Sequence, residues 1–217
     1  MRKLYYVPGS PFARKVRIVL AEKGLAFDPA VLDAYPPGEV VARINPNLTV
    51  PTFVDDGVEL FDSNLIVEYL LDTYPGADRS ADPPLAEAMT RPDHRWADAK
   101  ILTTIETMAN SMVALSYLHW TGMEPVGEDR IGMDLKARQE ARIQSCLDWL
   151  DARATPEGFI PGVFSVQDLA LICPLLWTDA RLKIPWRGRP RLEAIVARYA
   201  DRPSVQATTV PPWPPRT

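Results

Sequence analysis

Ser10-Pro11-Phe12, Val50-Pro51 and Asp62-Ser63 are the places where residue types and spacing in this sequence can do chemistry. Ser10 and Pro11 suit the N-cap and first position of a helix whose apolar face is Phe12, Val16, Val19 and Leu20. Asp62-Ser63 stands before a second such stripe, Leu65, Ile66, Tyr69 and Leu70. Val50-Pro51 opens the apolar run Thr52-Phe53-Val54, which Asp55-Asp56-Gly57 breaks as a hairpin turn does. Two helix N-termini and one proline-interrupted strand edge each offer backbone N–H groups that no helix or ladder uses. Together they suit a small anionic peptide. A serine hydroxyl at a helix start can also donate to an anion, where the helix dipole already favours negative charge.

The elements that must position these groups are legible around them. Lys3–Val7 reads as a buried strand, residues 11–24 as a helix stopped by Gly24, and Phe27–Leu32 as a second strand. A Pro-rich loop at Tyr35–Glu39 leads to a helical turn near Val40–Ile44, a hairpin over 52–61 and a helix over 64–74. Gly76–Pro84 is polar and Pro-containing without apolar periodicity, which marks a linker. Beyond it the patterns are helical, over about 91–119, 130–153, 166–182 and 190–200. Ser165 and Asp168 suit a capping box, with Phe164 and Leu169 as its staple, and this is a folding element without a catalytic role. The stripe Ile105, Met108, Met112 and Leu115 has the spacing of a core face. The tail Pro211–Pro215 reads as extended.

Composition narrows the classes. The chain has 217 residues, 47% hydrophobic and 24% charged, enough to bury a sizeable core and too apolar for disorder. Net charge is −4 with basic residues scattered, which argues against a nucleic-acid surface. Arg14, Lys15 and Arg17 are the densest basic group and read as the solvated face of the first helix. Cys146 and Cys173 lie in apolar helical stretches, as buried free thiols do, and His94 and His119 have no ligand-like neighbours, so no metal site is expected. No apolar segment of signal-peptide or membrane-spanning length is present, so the expectation is a cytoplasmic protein without membrane contact.

The order Ser-Pro-Phe-Ala-Arg-Lys-Val-Arg, then Asn45-Pro46 to Val50-Pro51, then Asp62-Ser63 resembles the glutathione transferase superfamily, in particular its bacterial cytosolic members. Phe164-Ser165-Val166-Gln167-Asp168 matches a capping signal of that family. The resemblance implies an α+β N-terminal thioredoxin-like domain (βαβαββα) over 1–76, a linker over 77–84 and an all-α helical domain over 85–217. It implies that Ser10 activates the thiol of glutathione, the co-substrate, for attack on an electrophilic, mostly apolar small molecule. Only the thiolate is a good nucleophile, and a free thiol near pKa 8.5 is mostly protonated at neutral pH. Phe12, Val50, Pro51, Asp62 and Ser63 would then bind glutathione. Val50–Pro51 would be cis, with the Val50 backbone pairing with the cysteinyl unit as an added strand. Asp62 suits the γ-glutamyl ammonium and Ser63 its carboxylate.

The resemblance also implies a pocket for the apolar co-substrate along the long helix, with Met108, Met112, Leu115 and Trp213 on its wall. It implies a homodimer through the 64–74 and 91–119 helices, in which Asp98 reaches the neighbouring subunit's glutathione. Tyr6 is the rival thiol ligand, because some branches of the family use a tyrosine at the end of the first strand. One departure stands out. Leu48 and Thr49 occupy places where the family pattern has Gly followed by a basic or small residue, which bears on glutathione affinity. It leaves room for a non-catalytic ligand-binding or assembly module, or for another glutathione-dependent reaction, on the same fold. Thiol–disulfide exchange is disfavoured, since a hydroxyl at residue 10 cannot form the mixed disulfide.

Overall fold

A computed structural model describes residues 1–32, 38–76, 81–122 and 134–211. Strands β1 (Lys3–Tyr6), β2 (Asp28–Val31), β3 (Thr52–Asp55) and β4 (Val58–Phe61) form one sheet in the order β2-β1-β3-β4. β1 pairs with β2 in parallel and with β3 antiparallel, and β3 with β4 antiparallel. Helices α1 (Pro11–Glu22), α2 (Glu39–Ile44) and α3 (Ser63–Thr73) complete a thioredoxin-like βαβαββα domain. Asp56 and Gly57 both take positive φ, 47° and 90°, as a two-residue turn twisted to match its strands requires.

The rest is helical: a 3₁₀ turn at Pro92–His94, then α4 (Arg95–Thr121), α5 (Leu135–Asp151), α6 (Val166–Arg181), α7 (Pro190–Tyr199) and α8 (Pro203–Gln206). The short α8 and the 3₁₀ turn have no periodicity long enough to show in the sequence. Of the expected linker, residues 77–80 lie outside the described residues, as does the tail from 212 onward. Residues 84–86 are tied to the helical domain: Phe164 N–H donates to Pro84 O at 2.8 Å, and Ala86 N–H to Phe164 O at 3.0 Å. Among the described residues no helix is long and apolar enough to cross a membrane.

α1 is enclosed on both sides. Ala13, Val16 and Leu20 sit in the core with Leu4 and Phe53 of the sheet. The opposite side is not a solvated face: Arg14 and Lys15 are each only 2% exposed. The helical domain packs where water was expected, so both cations find partners inside. Arg14 Nη2 donates to Val205 O at 3.1 Å, and Lys15 Nζ bonds Glu106 of α4 and Asn64 of α3. At the other end of α1, buried Glu22 takes the Arg202 guanidinium at 2.7 Å and the Ser204 hydroxyl. A buried charge is tolerable only when paired in this way.

Candidate functional site

Sheet register brings the three motifs to one place. Thr52, the first residue of β3, lies opposite Tyr5 on one side and Phe61 on the other. Ser10 follows β1, Pro51 precedes β3 and Asp62 follows β4, so all three sit at the same end of the sheet. Ser10 caps α1 in extended conformation, and its Oγ accepts from Ala13 N–H at 3.2 Å. That bond uses an oxygen lone pair. The single hydroxyl proton remains a donor, so capping and contact with an anion are compatible roles. Pro11 fills the first helical position, where its missing N–H costs nothing, and Phe12 beside it is half-buried. Tyr6 is buried in the core under the Arg17 guanidinium, 4.8 Å above its ring. The alternation of β1 therefore turns Tyr6 toward packing.

The Val50–Pro51 peptide is cis, as expected, and the loop before it is held by buried Asn45. Asn45 Nδ2 donates to Thr49 O and to Thr52 Oγ1, each at 2.9 Å, while its Oδ1 accepts from Asn47 N–H. Leu48 takes φ +52° and is 44% exposed. A left-handed backbone is what a glycine would supply here without strain, and Leu48 adopts it nonetheless.

Asp62 caps α3 from outside the helix, with φ +74°. Its Oδ1 accepts from both Asn64 N–H at 2.8 Å and Leu65 N–H at 3.2 Å. Its side chain is exposed, whereas Ser63 behind it is buried. Asn64 is in turn held by Lys15, so one ammonium links α1, the first turn of α3 and α4.

The helical domain supplies a wall that sequence patterns did not reveal. Trp177 of α6 donates from Nε1 to Gly9 O at 2.8 Å, and Arg181, one turn on, lies against Gly9 itself. Nothing in the sequence singles out either residue, because their partner is far away along the chain. The expected wall on α4 is corrected. Met108 and Met112 have no exposed surface and fill the core between α4 and its neighbours, rather than facing an open pocket; Leu115 packs against that core, partly buried. Trp213 lies outside the described residues. Asp98 is also corrected: it is wholly buried, and Arg91 holds it from Nε at 3.0 Å, Nη2 at 2.7 Å and the backbone N–H at 2.8 Å. Burial opposes its charge, but these three donors win and hold the carboxyl below its ordinary value. Asp98 therefore anchors the entry to α4 and has no surface to offer a neighbouring subunit.

Residues 4–78 match the family model described as glutathione S-transferase, N-terminal domain, and residues 133–198 that described as glutathione S-transferase, C-terminal domain. A stringent starvation protein A homolog of Pasteurella multocida is 35% identical over 200 residues, 89% of this chain and 82% of that protein. A homolog of the same name in Coxiella burnetii is 40% identical over 88 residues, 41% of this chain and 42% of that protein. Among solved structures, a glutathione S-transferase from Methylobacterium radiotolerans in complex with glutathione sulfonate matches with TM-score 0.76 at 27% identity, over 100% of this chain and 97% of that one.

Proposed function

Because this chain belongs to the glutathione S-transferase superfamily, we propose that it binds glutathione at the Ser10, Pro51 and Asp62 end of the sheet and transfers it to an electrophilic small molecule. The observation that carries this reading is the Ser10 hydroxyl at the α1 N-terminus, capping with its lone pair and keeping its proton to donate. A glutathione sulfur there would receive that hydrogen bond and the positive end of the helix dipole, both of which favour thiolate over thiol. The thiolate then attacks the electrophilic carbon, and the leaving group departs with the electron pair of the broken bond. Val50, outside the ladder before β3, would pair with the cysteinyl backbone, and Phe12 would pack beside it. The Asp62 carboxylate and Ser63 would meet the γ-glutamyl end. The Methylobacterium structure, with glutathione sulfonate bound on the same fold, supports the choice of ligand.

The test is a pH–rate profile with an aryl halide, run beside calorimetric titration with glutathione. Ser10→Ala should lower the rate by roughly 10²–10³ and raise the kinetic pKa toward that of free glutathione, leaving glutathione binding largely intact. Tyr6→Phe should change little, given the buried place of Tyr6 under Arg17. If Tyr6→Phe raises the pKa and Ser10→Ala does not, Ser10 is only a cap.

A second reading has one specific support. The Pasteurella relative, which matches most of the chain, carries the name of a starvation protein and not of a transferase. On this reading the site is a glutathione-binding or assembly module, and glutathione would bind without turnover of any electrophile. Under either reading we place the protein in the cytoplasm, the domain boundary within 77–84, and a homodimer on α3 and α4. Leu65 of α3 and Trp96 of α4 are 46% and 77% exposed, apolar surface that such an interface would cover. Sedimentation as a monomer at micromolar concentration would rule the dimer out.

A further inference from the structure

Lys15 of α1 is only 2% exposed, and its ammonium is held between α3 and α4. Nζ pairs with the Glu106 carboxylate of α4 and donates to Asn64 Oδ1, in the first turn of α3, at 2.5 Å. An ammonium can only donate, so the oxygen of the Asn64 amide must be the atom that faces it. The two N–H groups of Nδ2 are thereby turned away from Lys15. They reach no acceptor among the described residues, yet Asn64 is half-buried and its Nδ2 is not closed off from solvent. The backbone of the same residue is fixed as well, its N–H donating to Asp62 Oδ1 at 2.8 Å. A pair of oriented donors therefore stands beside Ser63 and Asp62, the two residues assigned above to the γ-glutamyl end. The bond that aims them has a charged donor, which makes it stronger than one between neutral groups.

We infer that Asn64 donates from Nδ2 to the carboxylate of the γ-glutamyl unit, and that Lys15 is the positioning residue that aims it. The inference rests on the glutathione reading above and deepens it. Lys15 acts through Asn64 and not on the ligand, because almost none of its surface is exposed. Glu106 compensates the buried ammonium, so the aim of the amide depends on α4 of the helical domain being packed where it is. Asp62 is left to the ammonium of the same unit, and the two opposite charges of one amino-acid group are read by different residues.

Glutathione and 4-aminobutyryl-cysteinylglycine, which lacks only the γ-glutamyl carboxylate, test this as a matched pair. The readout is the Kd of the analogue over the Kd of glutathione, each from calorimetric titration. Any general loosening of the site cancels in that ratio. Losing a hydrogen bond to a charged group should lower it about tenfold to a hundredfold in Asn64→Leu, which removes the amide without adding charge. Lys15→Met should lower it in the same direction, and Lys15→Arg, which keeps a cationic donor, should retain part of the preference. In the Asn64→Leu background, Lys15→Met should lower the ratio no further, since the two residues act as one unit. Asn64→Leu alters a half-buried side chain and decides the matter alone if Lys15→Met does not fold. If wild type binds glutathione and Asn64→Leu leaves the ratio within twofold, Lys15 and Asn64 are only a strut between helices and the inference is overturned, while the glutathione reading stands. A further fall in the double variant would mean that Lys15 acts by its own charge, which overturns its positioning role. If wild type binds neither peptide, the glutathione reading falls and takes the inference with it.

Discussion

At the start of α3, Asp62 takes the amides of Asn64 and Leu65 on the protein surface; at the start of α6, Ser165 and Asp168 close on each other inside the core. Both starts pair a carboxylate with a serine, and both satisfy helix N–H groups that would otherwise lack partners. They differ in where the second domain lies. Around Asp168, Phe159 N–H donates at 2.9 Å, Ser165 N–H at 3.2 Å and the Ser165 hydroxyl at 2.6 Å, so the oxygens are consumed by the fold. Around Asp62 the helix draws on Oδ1 alone, and the side chain faces outward. The same local chemistry is consumed by the fold when buried and leaves a carboxylate oxygen open at the surface when exposed.

The sharpest break in the comparison is to delete each carboxylate. Asp168→Ala leaves three buried donors without an acceptor and should cost about 3–5 kcal/mol in urea unfolding, or prevent folding. Asp62→Ala removes an exposed cap and should cost only about 1 kcal/mol, yet weaken glutathione binding measured by calorimetry by about tenfold or more. If Asp62→Ala costs stability as heavily as Asp168→Ala, the two starts are equivalent and the contrast is lost.

Titration sharpens the same contrast. Burial pushes the Asp168 carboxyl up to about 6, against its hydrogen bonds to Ser165 and Phe159, which pull the other way. Between about pH 4 and pH 6 the folded chain then holds a proton that the unfolded chain has lost. The contribution of this residue to stability therefore falls as pH rises through that window and levels off above it. Wild-type stability minus that of Asp168→Asn should show this slope, on the order of 1–3 kcal/mol in all. Subtraction is needed because Asp98 and Asp179, held below the ordinary range by Arg91 and Arg187 against the effect of burial, act in the opposite direction. A flat difference profile would mean that Asp168 is ionised throughout.

The smallest effect concerns the loop between the two other motifs. Leu48→Gly relieves a left-handed backbone but frees the unfolded chain, so it should stabilise by about 1 kcal/mol or less. Glutathione affinity that rises with it would show that Leu48 disfavours the ligand, as expected if the chain has drifted from catalysis. Unchanged affinity would show that the loop tolerates the substitution.

Local chemistry was legible from the residues alone. Ser10-Pro11, Asp62 and the Ser165–Asp168 box are caps whose partners lie within three residues, and Asp56-Gly57 is a turn defined by its own dihedrals. Such contacts carry little loop-closure entropy and need no knowledge of the rest of the chain. The order β2-β1-β3-β4, which places three distant motifs at one sheet end, became readable only through the resemblance to a family. Burial was decided by tertiary structure alone. Arg14 and Lys15 have the composition of a wet helix face, and Met108 and Met112 the look of a pliable pocket, yet the packing of α6 and α8 on α1, and of α5 and α6 on α4, leaves all four buried. Asp98, Trp177 and Arg181 acquire their roles from Arg91 and Gly9 in the same way. A side chain's charge or polarity is written in its own codon, but whether it meets water, core or ligand depends on which distant surface arrives against it.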